Sequence, residues 1–135
     1  PEESHWNDVL TEFKPDAIQS DVDDFLYLRV PPSIEKWPVL REHQPNLMIP
    51  KKGKFIYEGK HSGVGERVDW PKAAKYSKEG DLILAGGLSH ANVKKAINTV
   101  NPFGVDVSSA VESSPGKKCL TLIEKFIRNA KDLDQ

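Results

Sequence analysis

Cysteine is nearly absent from the sequence: Cys119 is the single one, so the chain can form no intrachain disulfide. No Cys and His residues are spaced as zinc ligands, and we expect no structural metal. Long apolar runs are absent too, because the longest, residues 82–85, is far shorter than the ~20 residues of a membrane span. Residues 1–20 lack the apolar region of a signal peptide. These absences predict a cytoplasmic protein that does not contact membranes.

An excess of charge of either sign is also missing. Lys and Arg number 19 against 20 Asp and Glu, which gives a net charge of -1. No overall field attracts nucleic acid or anionic lipid, so neither is expected as a partner, and an anionic ligand must be held locally. The 135 residues suit one domain. They are too few for a closed eight-unit β/α barrel, which needs roughly 250 residues.

Apolar spacing predicts alternating helices and strands in the first half of the chain. A helix with Ser4 as its N-cap carries the stripe Trp6, Val9, Leu10 and Phe13. Short strands are predicted at 17–19 and 37–41, with a helical turn near 23–28. Residues 43–53 hold Pro and Gly without periodicity and predict a loop where a β/α unit would carry a helix.

The second half alternates more regularly. Asp69 and Pro71 mark a helix start, Ser89 a second one, and Leu120 the last. That last helix is expected to bury Leu120, Ile123, Phe126, Ile127 and Ala130. Strands are predicted at 54–58, 82–85 and 104–107, and a polar loop at 108–118. Alternation of this kind is typical of an α/β protein with a parallel sheet.

Ligands of parallel α/β folds bind at the carboxyl ends of the strands, so the loops after each strand are the candidate sites. Gly86-Gly87 and Ser108-Ser109 follow neighbouring strands and could present backbone N–H groups to a phosphate. Alternatively, the Gly pair only turns the chain. The loop with Gly63 and Gly65 could wrap the same anion or serve as a flexible connection.

Two carboxylates are candidates for chemistry. Glu58 directly follows an apolar strand, where burial would suit it to general acid work, although a solvated loop Glu is the simpler interpretation. Asp106 is placed inside a predicted strand, where Asp is disfavoured, and has either a ligand or a structural role. Cys119 is interpreted as a packing residue, and Lys117-Lys118 as a solvated face.

Four blocks of sequence resemble phosphoribosylanthranilate isomerases. They are SGVGERVDW at 62–70, LAGGLS at 84–89 followed by Asn92-Val93, GVDVSSAVE at 104–112, and SPGKK at 114–118. The blocks keep the family's order and spacing, and the resemblance is strong over 54–131 and looser over 1–53. It implies a single partial-barrel domain over 1–135, equivalent to strands four to eight of a (β/α)8 barrel.

The resemblance also implies a function, that of an isomerase of tryptophan biosynthesis. This family converts N-(5-phosphoribosyl)anthranilate to 1-(o-carboxyphenylamino)-1-deoxyribulose 5-phosphate by an Amadori rearrangement, without metal or cofactor. By position, Glu58 matches the general acid, where most members have Asp. Asp106, Arg41 and Gln19 match substrate-binding positions. The matches to the phosphate-holding loops are Gly63, Gly65, Gly86, Gly87, Ser108 and Ser109.

Two functional groups of the family have no match here, its general base and the Arg after its second strand that pairs the anthranilate carboxylate. Its general base is a Cys in a Lys-x-Cys-Gly block on the first strand, and Cys119 lies on a different element. We therefore expect the isolated chain to lack turnover. The alternative to an isomerase is a non-catalytic phosphate-binding half-barrel that forms a homodimer or complements an N-terminal fragment.

Overall fold

The computed structural model describes residues 2–61 and 65–132, which contain four α-helices, seven short strands, one π-helical turn and two 3₁₀ turns. The helices are α1 (Glu3–Asp8), α2 (Trp70–Ser77), α3 (Val93–Val100) and α4 (Leu120–Lys131). The strands are β1 (Ala17–Asp21), β2 (Glu35–Arg41), β3 (Lys54–Glu58), β4 (Asp81–Leu84), β5 (Gly104–Val105), β6 (Glu112–Ser114) and β7 (Lys117–Lys118). Within these ranges every helix is too short or too polar to span a lipid bilayer.

The strands β1 to β5 form one parallel sheet whose spatial order follows the chain order. An order without reversal is that of a barrel wall, whereas doubly wound sheets reverse direction at a switch point. The sheet stays open, with β1 and β5 as its edges, and β6 and β7 form a separate antiparallel hairpin. The predicted α/β fold with a partial barrel is confirmed, and all five carboxyl ends lie along one rim.

Two apolar layers hold the sheet. Its outer face packs against the helices through alternate strand residues such as Phe55, Tyr57 and Leu84, which are fully buried beneath α2 and α3. The opposite face, here called the inner face, is lined by Val39, Ile56, Ile83 and Ala85, with Trp37 beside them. Because side chains alternate along a strand, the same register points Arg41 and Glu58 to the inner face at the rim.

Several predicted boundaries are confirmed. Strand β3 covers the predicted residues 54–58, and residues 43–53 contain no helix. The Asp69 side chain accepts a hydrogen bond from the Lys72 amide at 3.1 Å, so Asp69 caps α2, with Pro71 in the first turn. These elements have local signals, a cap or a continuous apolar strand, that act within a few residues.

The N-terminal helix differs from its prediction in its second half. It is α-helical only to Asp8 and continues as a π-helical turn at Val9–Phe13, which ends at Lys14 in the left-handed region, with φ 54°. The wider turn shifts the apolar stripe, so Trp6 is 5% exposed but Phe13 is 77% exposed. The expectation of one regular stripe through Phe13 is therefore wrong.

Three boundaries in the second half also need correction. Ser89 caps only a turn, accepting from the Ala91 amide at 3.2 Å, and α3 begins later, with Asn92 at its N-cap position. Strand β5 ends at Val105, so Asp106 lies just beyond the strand and not within it. The predicted polar loop at 108–118 contains a 3₁₀ turn at Ser109–Val111 and the β6–β7 hairpin.

Helix α4 buries less than its pattern predicts. Phe126 is 6% exposed, but Leu120 is 79% and Ile127 45% exposed. The helix packs mainly on α3 and the 3₁₀ turn, and in the described part of the chain its flank beyond β5 is uncovered. The apolar stripe of α4 is wide enough for neighbours on two sides but is therefore covered on only one.

Candidate active site

One pocket at the carboxyl rim of β3, β4 and β5 brings together most of the predicted site residues. Its volume of about 150 Å³ is several times the ~30 Å³ that one water occupies, which leaves room for a phosphate group. His61, Glu66, Leu88, Val107 and Ala110 complete a lining that contains Glu58, Gly65, Gly86, Gly87, Ser89, Asp106, Ser108 and Ser109. Glycine, hydroxyl and carboxyl groups from three successive loops therefore face the same space.

The Gly86-Gly87 turn requires glycine for two reasons, its backbone conformation and its close packing. Both residues have positive φ, 91° and 67°, which favours glycine. A Cβ on Gly86 would lie 2.7 Å from the Glu66 carbonyl oxygen, and one on Gly87 would lie 2.8 Å from the Arg67 backbone. The preceding loop therefore lies directly on the glycines. Asn92 fixes the turn further, since its Nδ2 donates to the Gly87 carbonyl at 2.9 Å.

The loop over the glycines is itself anchored. Glu42 Oε2 accepts hydrogen bonds from the Tyr57 hydroxyl at 2.9 Å and from the Asp69 amide at 2.8 Å, which joins the end of that loop to the sheet. Burial, followed by this contact with Glu42, raises the pKa of Tyr57, so its hydroxyl remains a donor at neutral pH. The Arg67 guanidinium stacks 3.6 Å from the centre of the Trp70 ring. These contacts tie the pocket wall to the sheet and to α2.

Glu58 is the buried acidic group of the pocket. Its residue is 8% exposed, and its Oε2 lies 3.6 Å from Nη1 of Arg41. The same Nη1 donates to the Gly59 carbonyl at 3.0 Å, while Nε and Nη2 donate to the two carboxylate oxygens of Asp21 at 2.8 and 3.4 Å. An Asp21–Arg41–Glu58 chain of charges thus crosses the ends of β1, β2 and β3. The paired hydrogen bonds between the Arg41 guanidinium and the Asp21 carboxylate fix the guanidinium plane.

Asp106 lies across the pocket from these charges, on the loop after β5. Its amide donates to the Leu84 carbonyl at 2.8 Å, which fixes the start of that loop. Burial raises the pKa of Asp106, and the nearby charge of Lys118 acts in the opposite direction. Within the described ranges, no cluster of three or more His, Cys, Asp or Glu side chains could hold a metal ion.

The remaining predicted residues lie elsewhere. Gln19, on β1, lines a separate cavity beside Trp6, Ile18 and Leu28. Arg41 approaches the pocket through Glu58 and is not among its lining residues. Gly63 lies outside the described residues. Sequence reasoning missed Asp21 and Lys118, because their partners are 20 and 10 residues away and no local pattern marks such pairs.

Comparisons with known proteins identify the family of this chain. The family model for N-(5'-phosphoribosyl)anthranilate isomerase matches residues 14–129. A curated isomerase of that name from Geobacter sp. (strain M21) is 48% identical over 73 residues, which are 54% of this chain and 36% of the relative. The one from Geotalea uraniireducens is 49% identical over 71 residues, 53% of this chain and 35% of the relative.

Solved structures extend the match beyond the aligned segment. A phosphoribosylanthranilate isomerase from Thermotoga maritima superposes with a TM-score of 0.72 at 27% identity, covering 96% of this chain and 68% of that one. A second isomerase, in complex with reduced 1-(o-carboxyphenylamino)-1-deoxyribulose 5-phosphate, gives 0.69 at 25% identity, covering 96% and 66%.

The matched segment spans about a third of the curated relatives' length, 36% for the Geobacter protein. The family model nevertheless matches well over half of this chain, across all five parallel strands. The chain therefore belongs to the N-(5'-phosphoribosyl)anthranilate isomerase family.

Proposed function

We propose that this chain supplies the phosphate-binding and general-acid half of a phosphoribosylanthranilate isomerase active site. The observation that carries the proposal is the single pocket in which Glu58 faces the Gly86-Gly87 and Ser108-Ser109 loops. The relative in complex with the reduced product supports this ligand chemistry. The substrate is N-(5'-phosphoribosyl)anthranilate, and the reaction is its Amadori rearrangement.

The residues divide the task by position. The phosphate binds at the Gly86-Gly87 and Ser108-Ser109 loops. Gly65 also contributes to this site, and Gly63 does so by family resemblance. Glu58 donates a proton to the ribose ring oxygen, the ring opens to a Schiff base, and loss of the C2 proton gives the enol that becomes the ketone product. Asp106 orients the ribose. This sequence of proton transfers is redox-neutral and needs no cofactor.

The substrate carboxylate is assigned to Arg41, whereas Gln19, a substrate contact by family resemblance, lines a separate cavity. Asp21 already accepts two hydrogen bonds from Arg41, so a ligand carboxylate has to share or displace Asp21. Asp21, whose side chain is 49% exposed, therefore competes with the substrate carboxylate for Arg41 at the rim.

Removal of the C2 proton requires a base, and the Cys that serves as this base in the family has no match in this chain. Its one cysteine, Cys119, is at the N-cap position of α4. Purified residues 1–135 should therefore give no fluorescence decay of phosphoribosylanthranilate. Turnover that disappears in Glu58→Gln would contradict this expectation and show that another residue acts as the base.

A non-catalytic phosphate-binding half-barrel is the second candidate, favoured by the open edges of β1 and β5. In this candidate a second copy or a complementing N-terminal fragment covers the edges. Co-expression with the first three β/α units of the Geobacter relative should restore turnover if the chain retains a working acid. Association without turnover would favour the non-catalytic candidate.

Phosphate binding can be tested separately from turnover. Inorganic phosphate at 100 times its Kd should stabilise the chain by about 2.7 kcal/mol, seen as a raised Tm. Ser109→Asp, which places a carboxylate in the pocket, should abolish the shift, whereas Ser113→Asp on the exposed hairpin should retain it. No shift in the unmodified chain at millimolar phosphate would contradict the proposed site.

A further inference from the structure

The proposed phosphate pocket has an unfavourable charge balance in its lining. Glu58, Glu66 and Asp106 contribute carboxyl groups, and none of the described lining residues is a Lys or Arg. A phosphate dianion is repelled by these groups unless a cation lies close behind the wall. Arg41 is already engaged by Asp21, the Gly59 carbonyl and Glu58.

Lys118 is a cation placed directly behind one of the phosphate loops. Its Nζ donates to the Ser108 carbonyl at 2.9 Å and to the Ser108 hydroxyl at 3.2 Å. It lies 3.8 Å from Oε2 of Glu112, its register partner in the β6–β7 hairpin. The side chain reaches the loop from the cavity beside α4 and not from the pocket. The β6–β7 hairpin, predicted as a polar loop, therefore holds the Lys118 ammonium beside Ser108.

The Ser108 carbonyl also accepts a hydrogen bond from the Val111 amide at 3.4 Å, so Lys118 and the 3₁₀ turn together set the direction of the Ser108–Ser109 peptide group. In a trans peptide the carbonyl of Ser108 and the N–H of Ser109 point to opposite sides. Since the carbonyl accepts from Lys118 on the α4 side, the Ser109 N–H is directed away from Lys118. Ser109 lines the pocket on that other side.

We propose that Lys118 is a positioning residue for the phosphate site: together with the 3₁₀ turn it orients the Ser108–Ser109 peptide, and its charge offsets the carboxylates around a bound phosphate monoester. This inference rests on the proposed function, since it assumes that the pocket takes phosphate. Lys118 acts through the loop and through its charge and does not touch the ligand. The opposing effect of its charge on the pKa of Asp106 agrees with an electrostatic reach across the loop.

The chain offers a matched control in the adjacent Lys117, an exposed residue of the same strand. We would measure inorganic phosphate binding by calorimetry at low salt, and amide hydrogen exchange at Ser109 and Ala110 without phosphate. Lys118→Met should weaken phosphate binding about tenfold, the order expected when one nearby unit charge is removed from a phosphate site at low salt. Lys118→Met should also speed the exchange of both amides.

Lys117→Met should change neither quantity, and Lys118→Arg, which keeps charge and donors, should restore both. Circular dichroism confirms that each variant is folded. Equal phosphate affinity in Lys118→Met and Lys117→Met would overturn the inference while leaving the proposed pocket standing. Absence of phosphate binding in the unmodified chain would instead overturn the proposed function and the charge role together.

Discussion

Replacing Gly87 by Ala tests whether the pocket wall depends on the close packing of two loops. Gly87 has φ 67°, and an added Cβ would meet the Cα and N of Arg67 at 2.8 Å and its Cβ at 2.9 Å. These atoms are backbone or bound to it, so no side-chain rotation relieves the overlap. The loop that ends at the buried Val68 and Trp70 would have to move.

The cost has two parts that can be measured apart. A non-glycine residue in the left-handed region costs about 1–2 kcal/mol. Overpacking against a fixed neighbour adds about 1–3 kcal/mol, so Gly87→Ala should lower the free energy of unfolding by about 2–5 kcal/mol in total. Gly116 is the matched control, because its φ is 80° and nothing lies within 4 Å of its added Cβ. Gly116→Ala should show only the backbone part.

Urea unfolding of both variants, followed by phosphate titration, is the assay. Gly87→Ala should be the less stable of the two and should lose phosphate affinity, since moving the loop opens the pocket. Equal destabilisation would refute the reasoning, because it would mean that the loop yields without cost. A Gly87→Ala protein that binds phosphate normally would show that loop packing does not shape the site.

Three further predictions concern charges and caps. Arg41→Met should destabilise the fold by about 3 kcal/mol in urea unfolding because the buried Glu58 loses its nearby cation, whereas Asp21→Asn, at a half-exposed group, should cost under about 1 kcal/mol. Burial raises the folded-state pKa of Asp106, so its ionisation removes stability as pH rises through that pKa. Asp106→Asn should therefore be more stable than the parent at pH 7, with the gain vanishing below about pH 4; a gain that persists at pH 3 would contradict this. Asp69→Ala should cost about 1 kcal/mol in thermal or urea unfolding through loss of the α2 cap.

The sequence is most informative where the signal is local. The bounds of β3 and the Asp69 cap follow from an apolar strand and a capping residue, both decided within a few positions. The grouping of Glu58 with the loops after β4 and β5 follows from the rule that parallel strands share one carboxyl rim. These parts of the fold and site were predictable without coordinates.

Features made by distant partners were not predictable. Nothing in the sequence around Asp21 shows that it binds Arg41, 20 residues later. Lys118 is exposed, as its interpretation as part of a solvated face predicts, but its contact with Ser108 depends on a hairpin whose strands are two and three residues long and which no local pattern marks. The glycine pair left two interpretations open, and its positive φ values together with the packing of Arg67 and Glu66 explain the need for glycine at both positions.

The described residues that line the pocket all come from one continuous stretch of chain, from Glu58 to Ala110. Each of the loops that hold them follows the next strand along the chain, which keeps the loop-closure entropy of assembling the site modest. The proposed phosphate site is therefore built from the loops after three consecutive strands, β3, β4 and β5, and does not require the open edges of the sheet to be covered. Under the proposed function, recognition of the phosphate and completion of the barrel are separable, so one can be gained, lost or transplanted without the other.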